Sequence, residues 1–356
     1  MPIRVLIVDD SAFMRNALGK MLSSDPEIVV AGIAKDGVEA LEKIAQLKPD
    51  LVTMDIEMPR MDGIEALRRI MATMPLPVIM VSSLTVEGAR ATLEALEIGA
   101  VDFLSKNLAD LSLNILQVRE ALLEKVKQIA RRRVRQVGRP PVRISQAPAS
   151  AVPPGAGEHR TEYRKERRIA ILAIGTSTGG PKALQDIIPR LPKDFPVPTI
   201  VVQHMPPAFT APFADRLNEL SQVRVKEAEE GEVLKPGVVL VAPGRGHLSV
   251  RRGRVGECYV TIEENRPDLI YRPSADVMML SVAEIFPGRA LGVILTGMGN
   301  DGEKGMRAIK ASGGRTLAQN EETCVVFGMG RAAVEAQVVD RVVPLLEVVG
   351  EIINAV

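Results

Sequence analysis

Tryptophan is absent from the 356 residues, aromatic side chains make up only 3%, and cysteine occurs twice. Cys258 and Cys324 cannot build a disulfide framework, so the composition fits a reducing compartment and packing roles for both. Charge of one sign is missing too: 45 basic side chains face 44 acidic ones, a formal net charge of +1. No global field therefore favours nucleic acid or a membrane surface. Apolar runs stay well short of the roughly 20 residues a membrane span needs, so no membrane insertion is expected. The opening MPIRVLIVDD reaches two aspartates too early for a secretory signal, and a cytoplasmic protein is expected. Histidine, with three copies, leaves few choices for imidazole chemistry.

Apolar residues, at 46%, suffice for two buried cores, and the length suits two domains. Short apolar runs at Val5–Val8, Ile28–Val30, Leu51–Met54, Val78–Val81 and Phe103–Leu104 read as buried strands. Amphipathic stretches separate them, such as Val38, Leu41, Ile44, Ala45 and Leu47, which Pro49 stops. This alternation predicts a parallel sheet wrapped by helices on both faces, a five-stranded flavodoxin-like domain over 1–125. Residues 126–167 read as a linker: arginines at 131–133, 135, 139 and 143 lead into QAPASAVPPGAGEHR. The arginine run lacks interleaved aromatics, so it reads as a solvated helix end and tether rather than a nucleic-acid patch. Over 168–356 a second doubly wound α/β pattern is expected. Its strands lie near 169–175, 199–203 and 290–295, and its helices follow Gly180, Ala208 and Asp301. Between 223 and 263, turn signals and alternating segments predict an antiparallel hairpin insertion.

Asp9 and Asp10 follow the first predicted strand and Asp55 ends the third. In an open parallel sheet the carboxyl ends of neighbouring strands converge on one crevice. Three carboxylates there repel one another, and a hard divalent ion such as Mg²⁺ relieves the repulsion through oxygen ligands. Ser82 adds a hydroxyl after the fourth strand and Lys106 an ammonium after the fifth, suited to a phosphoryl group. Any one of these residues passes as a helix cap. Five at the ends of four strands of one sheet do not.

Residues 1 to about 125 thus resemble a two-component receiver domain. The Asp9–Asp10 pair, Asp55 followed by IEMPRMDG, Ser82 and Lys106 match its pattern. The resemblance implies that Asp55 accepts a phosphoryl group. It also implies that Asp10, Asp55 and the carbonyl of Glu57 hold Mg²⁺, with Asp9 in support, and that Phe103 is the aromatic switch. Asn107 stands where receivers usually carry proline.

GTSTGG, residues 175–180, follows the apolar run from Ile169 to Ile174. Gly175 to Gly179 fits G-x-S-x-G, a strand-to-helix turn that exposes a serine hydroxyl. A phosphate-cradling loop is the other reading, but the loop has no lysine and no G-x-G-x-x-G follows. A serine nucleophile needs a base and an orienting acid. His159 lies in the linker, His204 ends the strand 199–203, and His247 is the second choice after Pro243–Gly246. Asp301 follows the strand at 290–295, so Ser177, His204 and Asp301 converge on one rim. The order Ser, His, Asp differs from that of α/β-hydrolases, which implies another scaffold.

The motifs IGTSTGGP, VVQHMP, APGRGH, YRPSAD and LTGMGNDG, in this order behind a receiver, resemble the chemotaxis protein-glutamate methylesterase family over essentially the whole chain. The resemblance implies a phosphorylation-regulated hydrolase that removes methyl esters from chemoreceptor glutamates and deamidates particular glutamines. Its partners would be a chemotaxis histidine kinase and methyl-accepting chemoreceptors, with the enzyme associating with membrane receptor clusters. Backbone N–H groups of Thr178 and Met298 are oxyanion candidates, and no cofactor is expected in the esterase site. A phosphorylation-controlled binding module or transcription regulator is the alternative; it leaves Ser177, His204 and Asp301 without a role.

Overall fold

The computed structural model describes residues 1–83, 85–106, 115–137, 168–254, 256–264, 266, 268–269 and 271–356. The N-terminal part alternates β1 (Ile3–Val8), α1 (Ala12–Leu22), β2 (Ile28–Ala34), α2 (Gly37–Leu47), β3 (Leu51–Asp55), α3 (Gly63–Thr73), β4 (Val78–Ser82), α4 (Val86–Ile98) and β5 (Asp102–Ser105). Side-chain caps start the helices where the sequence offers them. Ser11 accepts from Met14 N–H before α1, Asp36 from Val38 and Glu39 before α2, and Asp62 from Glu65 before α3. The five strands pair in parallel in the order β2-β1-β3-β4-β5. β3 and β4 are buried along their full length, as expected for strands covered on both faces.

Helix α5 (Ile115–Val137) runs on past residue 125, so the first arginines of the basic run continue a helix. Asn107, His159, Arg139 and Arg143 lie outside the described residues.

The C-terminal part starts with β6 (Ile171–Thr176), α6 (Gly180–Ile187), β7 (Thr199–Gln203), α7 (Pro207–Leu220), β8 (Arg224–Glu227) and β9 (Val238–Val241). It continues through β10 (His247–Arg252), β11 (Cys258–Glu263), α8 (Ala275–Ile285), β12 (Ala290–Ile294) and α9 (Glu303–Ala311). It closes with β13 (Arg315–Gln319), α10 (Met329–Glu335), β14 (Arg341–Val343) and α11 (Leu345–Ala355). Seven strands form a parallel sheet ordered β14-β13-β12-β6-β7-β9-β8, and β10-β11 form the antiparallel hairpin. The expected insertion is therefore shorter than 223–263. β8 and β9 pair in parallel at the sheet edge, because the Pro236-Gly237 turn ends a crossover rather than a hairpin. No helix among the described residues is long and apolar enough to cross a membrane.

Chain reversal points fix where ligands can approach. The first sheet reverses between β1 and β3, and the second at β6, with β12 on one side and β7 on the other. The two parts also pack on each other. α4 lies against α7, and the Phe103 ring stacks on Phe209 with centroids 4.5 Å apart. Arg216 grips Glu97 through Nε and Nη2 at 2.6 and 2.9 Å, a two-bond clasp that a lysine could not make. Val326 is buried in one apolar cluster with Leu122, Val126 and Ile129 of α5, and Met298 packs against it.

Candidate active site and phosphoacceptor site

At the reversal point of the first sheet, Asp9 and Asp10 follow β1, and Asp55 closes β3. An oxygen of each lies within 4.8 Å of the others. Asp9 and Asp55 are buried, whereas Asp10 is exposed. The Lys106 ammonium stands 2.6 Å from Asp55 Oδ2 and 2.9 Å from Asp9 Oδ2. Burial pushes the Asp55 carboxyl up; Lys106 pulls it down and Asp9 pushes it up again, leaving it near about 6. One ammonium thus faces three carboxylates, a donor set that fits a hard divalent cation.

A cavity of about 170 Å³ opens over Asp55, lined by Asp10, Glu57, Ser82 and Lys106 among others. The Glu57 N–H donates to Asp55 Oδ1 at 3.4 Å. Ser82 is buried and donates to the carbonyls of Gly88 and Ser83, so its hydroxyl is tied to the α4 start. Phe103 is not at this cavity: it points the other way, onto Phe209.

The second crevice gathers Ser177 after β6, His204 after β7 and Asp301 after β12. Thr296 shapes the serine turn. Its carbonyl accepts from Ser177 N–H at 3.0 Å and from the Thr176 hydroxyl at 2.7 Å, and its own hydroxyl donates to the Thr178 carbonyl at 2.8 Å. Gly180 is required by close approach, since a Cβ there would fall 2.0 Å from Gln203 Oε1. Gln203 in turn donates to the carbonyls of Ser177 and His204, both at 3.0 Å, joining the two strand ends.

His204 Nε2 lies 2.7 Å from Asp301 Oδ2. The helix α8 start wraps the same carboxylate. Ala275 N–H donates to Oδ2 at 2.6 Å, and Asp276 N–H and the Ser274 hydroxyl reach Oδ1 at 3.0 and 2.8 Å. Burial pushes the Asp301 carboxyl up, but His204 and these N–H groups outweigh it and hold it below its usual range. These donors favour the charged form of Asp301, which faces the His204 ring.

The other ring nitrogen, His204 Nδ1, is buried without a hydrogen-bond partner. Ser177 is half-buried, and among the described residues its hydroxyl makes no hydrogen bond. The serine–histidine contact is open here, with each partner unclaimed by other groups. The backbone N–H groups of Thr178 and Met298 likewise have no acceptor among the described residues. Two free N–H groups beside a free hydroxyl and a free imidazole nitrogen can bind an oxyanion and move a proton.

His247, the second-choice imidazole, is fully buried at the start of β10, and neither ring nitrogen has a partner. Burial, then Arg272 and Arg266, push it toward the neutral form. It makes no hydrogen bond to Ser177 or Asp301. Sequence reading missed Thr296, Gln203, Ser274 and the α8 N–H groups. Ser274 had a signal, as it starts a capped helix in YRPSAD, but its partner 27 residues on is set by tertiary structure.

The receiver-like part reaches this crevice. The Thr178 hydroxyl, next to Ser177, donates to Asp102 Oδ2 at 2.7 Å, and Lys125 Nζ holds the same oxygen at 2.6 Å. Thr178 and Asp102 are both buried.

Residues 172–352 match the CheB methylesterase family, and residues 5–115 match the response regulator receiver domain. The chain is 50% identical over 366 residues to protein-glutamate methylesterase/protein-glutamine glutaminase 2 of Nitratidesulfovibrio vulgaris, covering 99% of each. It is 45% identical to a protein-glutamate methylesterase/protein-glutamine glutaminase of Pyrococcus horikoshii, covering 99% of this chain and 94% of that one. Among solved structures, the Thermotoga maritima CheB methylesterase catalytic domain aligns at 44% identity with a TM-score of 0.52. It covers 53% of this chain and 99% of that domain.

Proposed function

From the premise that this chain belongs to the CheB methylesterase family, and is an enzyme of the protein-glutamate methylesterase/protein-glutamine glutaminase class, we propose that Ser177, His204 and Asp301 form its catalytic triad and that Asp55 switches it. The observation that carries the reading is the His204–Asp301 bond at 2.7 Å with Nδ1 left free. In the reaction, Ser177 Oγ attacks the γ-carbonyl of a methyl-esterified glutamate on a chemoreceptor while Nδ1 takes the serine proton. Asp301 stabilises the imidazolium formed. The Thr178 and Met298 N–H groups receive the oxyanion. The C–O bond to methanol then breaks, and Nδ1 returns the proton to the leaving oxygen. Water, deprotonated at Nδ1, cleaves the glutamyl-serine ester and restores Ser177. A glutamine amide follows the same course, with ammonia leaving.

In the receiver, Asp10, Asp55 and the Glu57 carbonyl would hold Mg²⁺, with Asp9 beside them. When bound, the ion supplies positive charge against the phosphoryl oxygens. The Asp55 carboxylate attacks the phosphorus of a kinase phosphohistidine, the P–N bond breaks with its electron pair leaving on the histidine ring, and Lys106 pairs with the phosphoryl oxygens. Residues 1–125 act as the receiver, 168–356 as the hydrolase and 126–167 as their connection. At rest the receiver covers the crevice: Asp102 holds Thr178, Met298 packs toward α5, and Phe103 rests on Phe209. Phosphorylation draws Ser82 and Phe103 toward Asp55 and loosens that contact. Methanol release from methylated receptor, with and without a small phosphodonor, tests both halves. Trapping the glutamyl ester on Ser177 by mass spectrometry tests the nucleophile.

A further inference from the structure

Among the described residues the His204 ring makes one hydrogen bond. The bond from Nε2 to Asp301 and the Cβ tether leave the tilt of the ring plane unset by hydrogen bonds, since Nδ1 has no partner among the described residues. One group faces the flat of the ring. Tyr271 stacks on it with centroids 4.7 Å apart and planes 9° from parallel. Tyr271 is itself set by the loop that carries Met298. Gly299, at φ +80°, leaves the space its hydroxyl occupies, since a Cβ at 299 would come within 2.1 Å of Tyr271 Oη. Tyr271 therefore spans from the general base to the oxyanion loop.

We propose that Tyr271 is a positioning residue for the general base: its ring holds the His204 plane so that Nδ1 faces Ser177, and its π face supports the imidazolium formed during proton transfer. The proposal rests on the triad reading above. A face-on ring favours a cation most when water is excluded, and the effect grows only as the charge appears. It therefore acts on turnover rather than on substrate binding. Burial, then the charges of Asp301 and of Glu124 on receiver helix α5, push the Tyr271 phenol up, so the ring stays neutral.

The full-length protein activated with Mg²⁺ and a small phosphodonor is the test. Tyr271→Ala is expected to lower kcat about tenfold with KM nearly unchanged, the size of a cation–π contact. Tyr271→Phe is expected to keep kcat within about twofold, because it keeps the face and loses only the hydroxyl. Should Tyr271→Ala not fold, Tyr271→Leu fills the space without a flat face and replaces it. A second readout needs no turnover. With three histidines in the chain, the His204 ring protons can be assigned by NMR, and stacking places them upfield. They should move downfield in Tyr271→Ala or Tyr271→Leu and stay in Tyr271→Phe. Unchanged kcat in the alanine or leucine variant, equal losses in the phenylalanine variant, or unmoved His204 resonances would each overturn the proposal. Retained activity in a parallel Ser177→Ala protein would instead sink the triad reading and leave the stacking result standing.

Discussion

Two parallel sheets in this chain each end in an acid at a chain-reversal point, and the two acids are treated in opposite ways. Asp55 sits buried beside Asp9, with the Lys106 ammonium close by, and its carboxyl is pushed up to about 6. Asp301 is buried as well, yet the α8 N–H groups, the Ser274 hydroxyl and His204 pull it below its usual range. Crowded carboxylates leave Asp55 under-compensated, which suits the cation-assisted phosphoacceptor role proposed for it. Surrounding donors favour the charged form of Asp301, which suits the orienting role proposed for it. Fold position brings a carboxylate to the crevice in both cases; the donors around it decide which way its pKa moves.

Removing one member from each site separates the two roles most sharply. Ser177→Ala should lower hydrolysis by at least ~10⁴-fold, with His204→Ala adding little on top, because the pair acts as a unit. The same protein should still take phosphate on Asp55. Asp55→Asn should do the reverse: no phosphate incorporation and no activation by phosphodonor, with the basal hydrolysis kept. Radiolabel incorporation and methanol release on the two variants check the contrast. Phosphate entering Asp55→Asn at the wild-type rate would reject the acceptor.

The next effect concerns the contact between the parts. Arg216→Ala should raise the unphosphorylated rate a few-fold, about what a half-exposed ion pair of ~1 kcal/mol contributes. Glu97→Ala should match it, and the double variant should gain little more. If either variant left resting activity unchanged, the clasp would have no part in holding the closed form.

The smallest effect separates the acids by pH. Asp301 has its folded-state pKa below the unfolded 3.8, so its contribution to stability is complete above that value and lost as pH falls below it. Asp301→Asn lacks this term. The urea midpoint gap between wild type and variant should therefore narrow from pH 6 to pH 3, and a constant gap would contradict the assignment of Asp301 as a held anion.

Much of this was legible in the residues alone, for a physical reason. Parallel strands covered on both faces must read as apolar runs, so β1, β3, β4, β6 and β7 stand out, and the polar residue behind each run falls at a sheet edge. Scarce histidine then left His204 and His247 as the ordered choices, and burial without hydrogen bonds to Ser177 or Asp301 removes His247. The misread stretch, β8–β9, carries a Pro-Gly turn that serves hairpins and crossovers alike. β13 and β14 had no strong signal, because short strands such as Arg341–Val343 pattern weakly. Thr296, Ser274 and Tyr271 act through partners far along the chain, so their roles appear only once the sheet is assembled.

If the receiver restrains the hydrolase by docking on its crevice, removing it, as in the fragment 168–356, must release the activity. That part carries its own seven-stranded sheet and an apolar cluster drawn from Ile171 to Val338 alone. Methanol release from methylated receptor should be faster with the fragment than with the resting full-length protein. Phosphodonor should bring the full-length protein up to that rate or beyond it. A fragment no more active than the unphosphorylated whole would contradict restraint by docking.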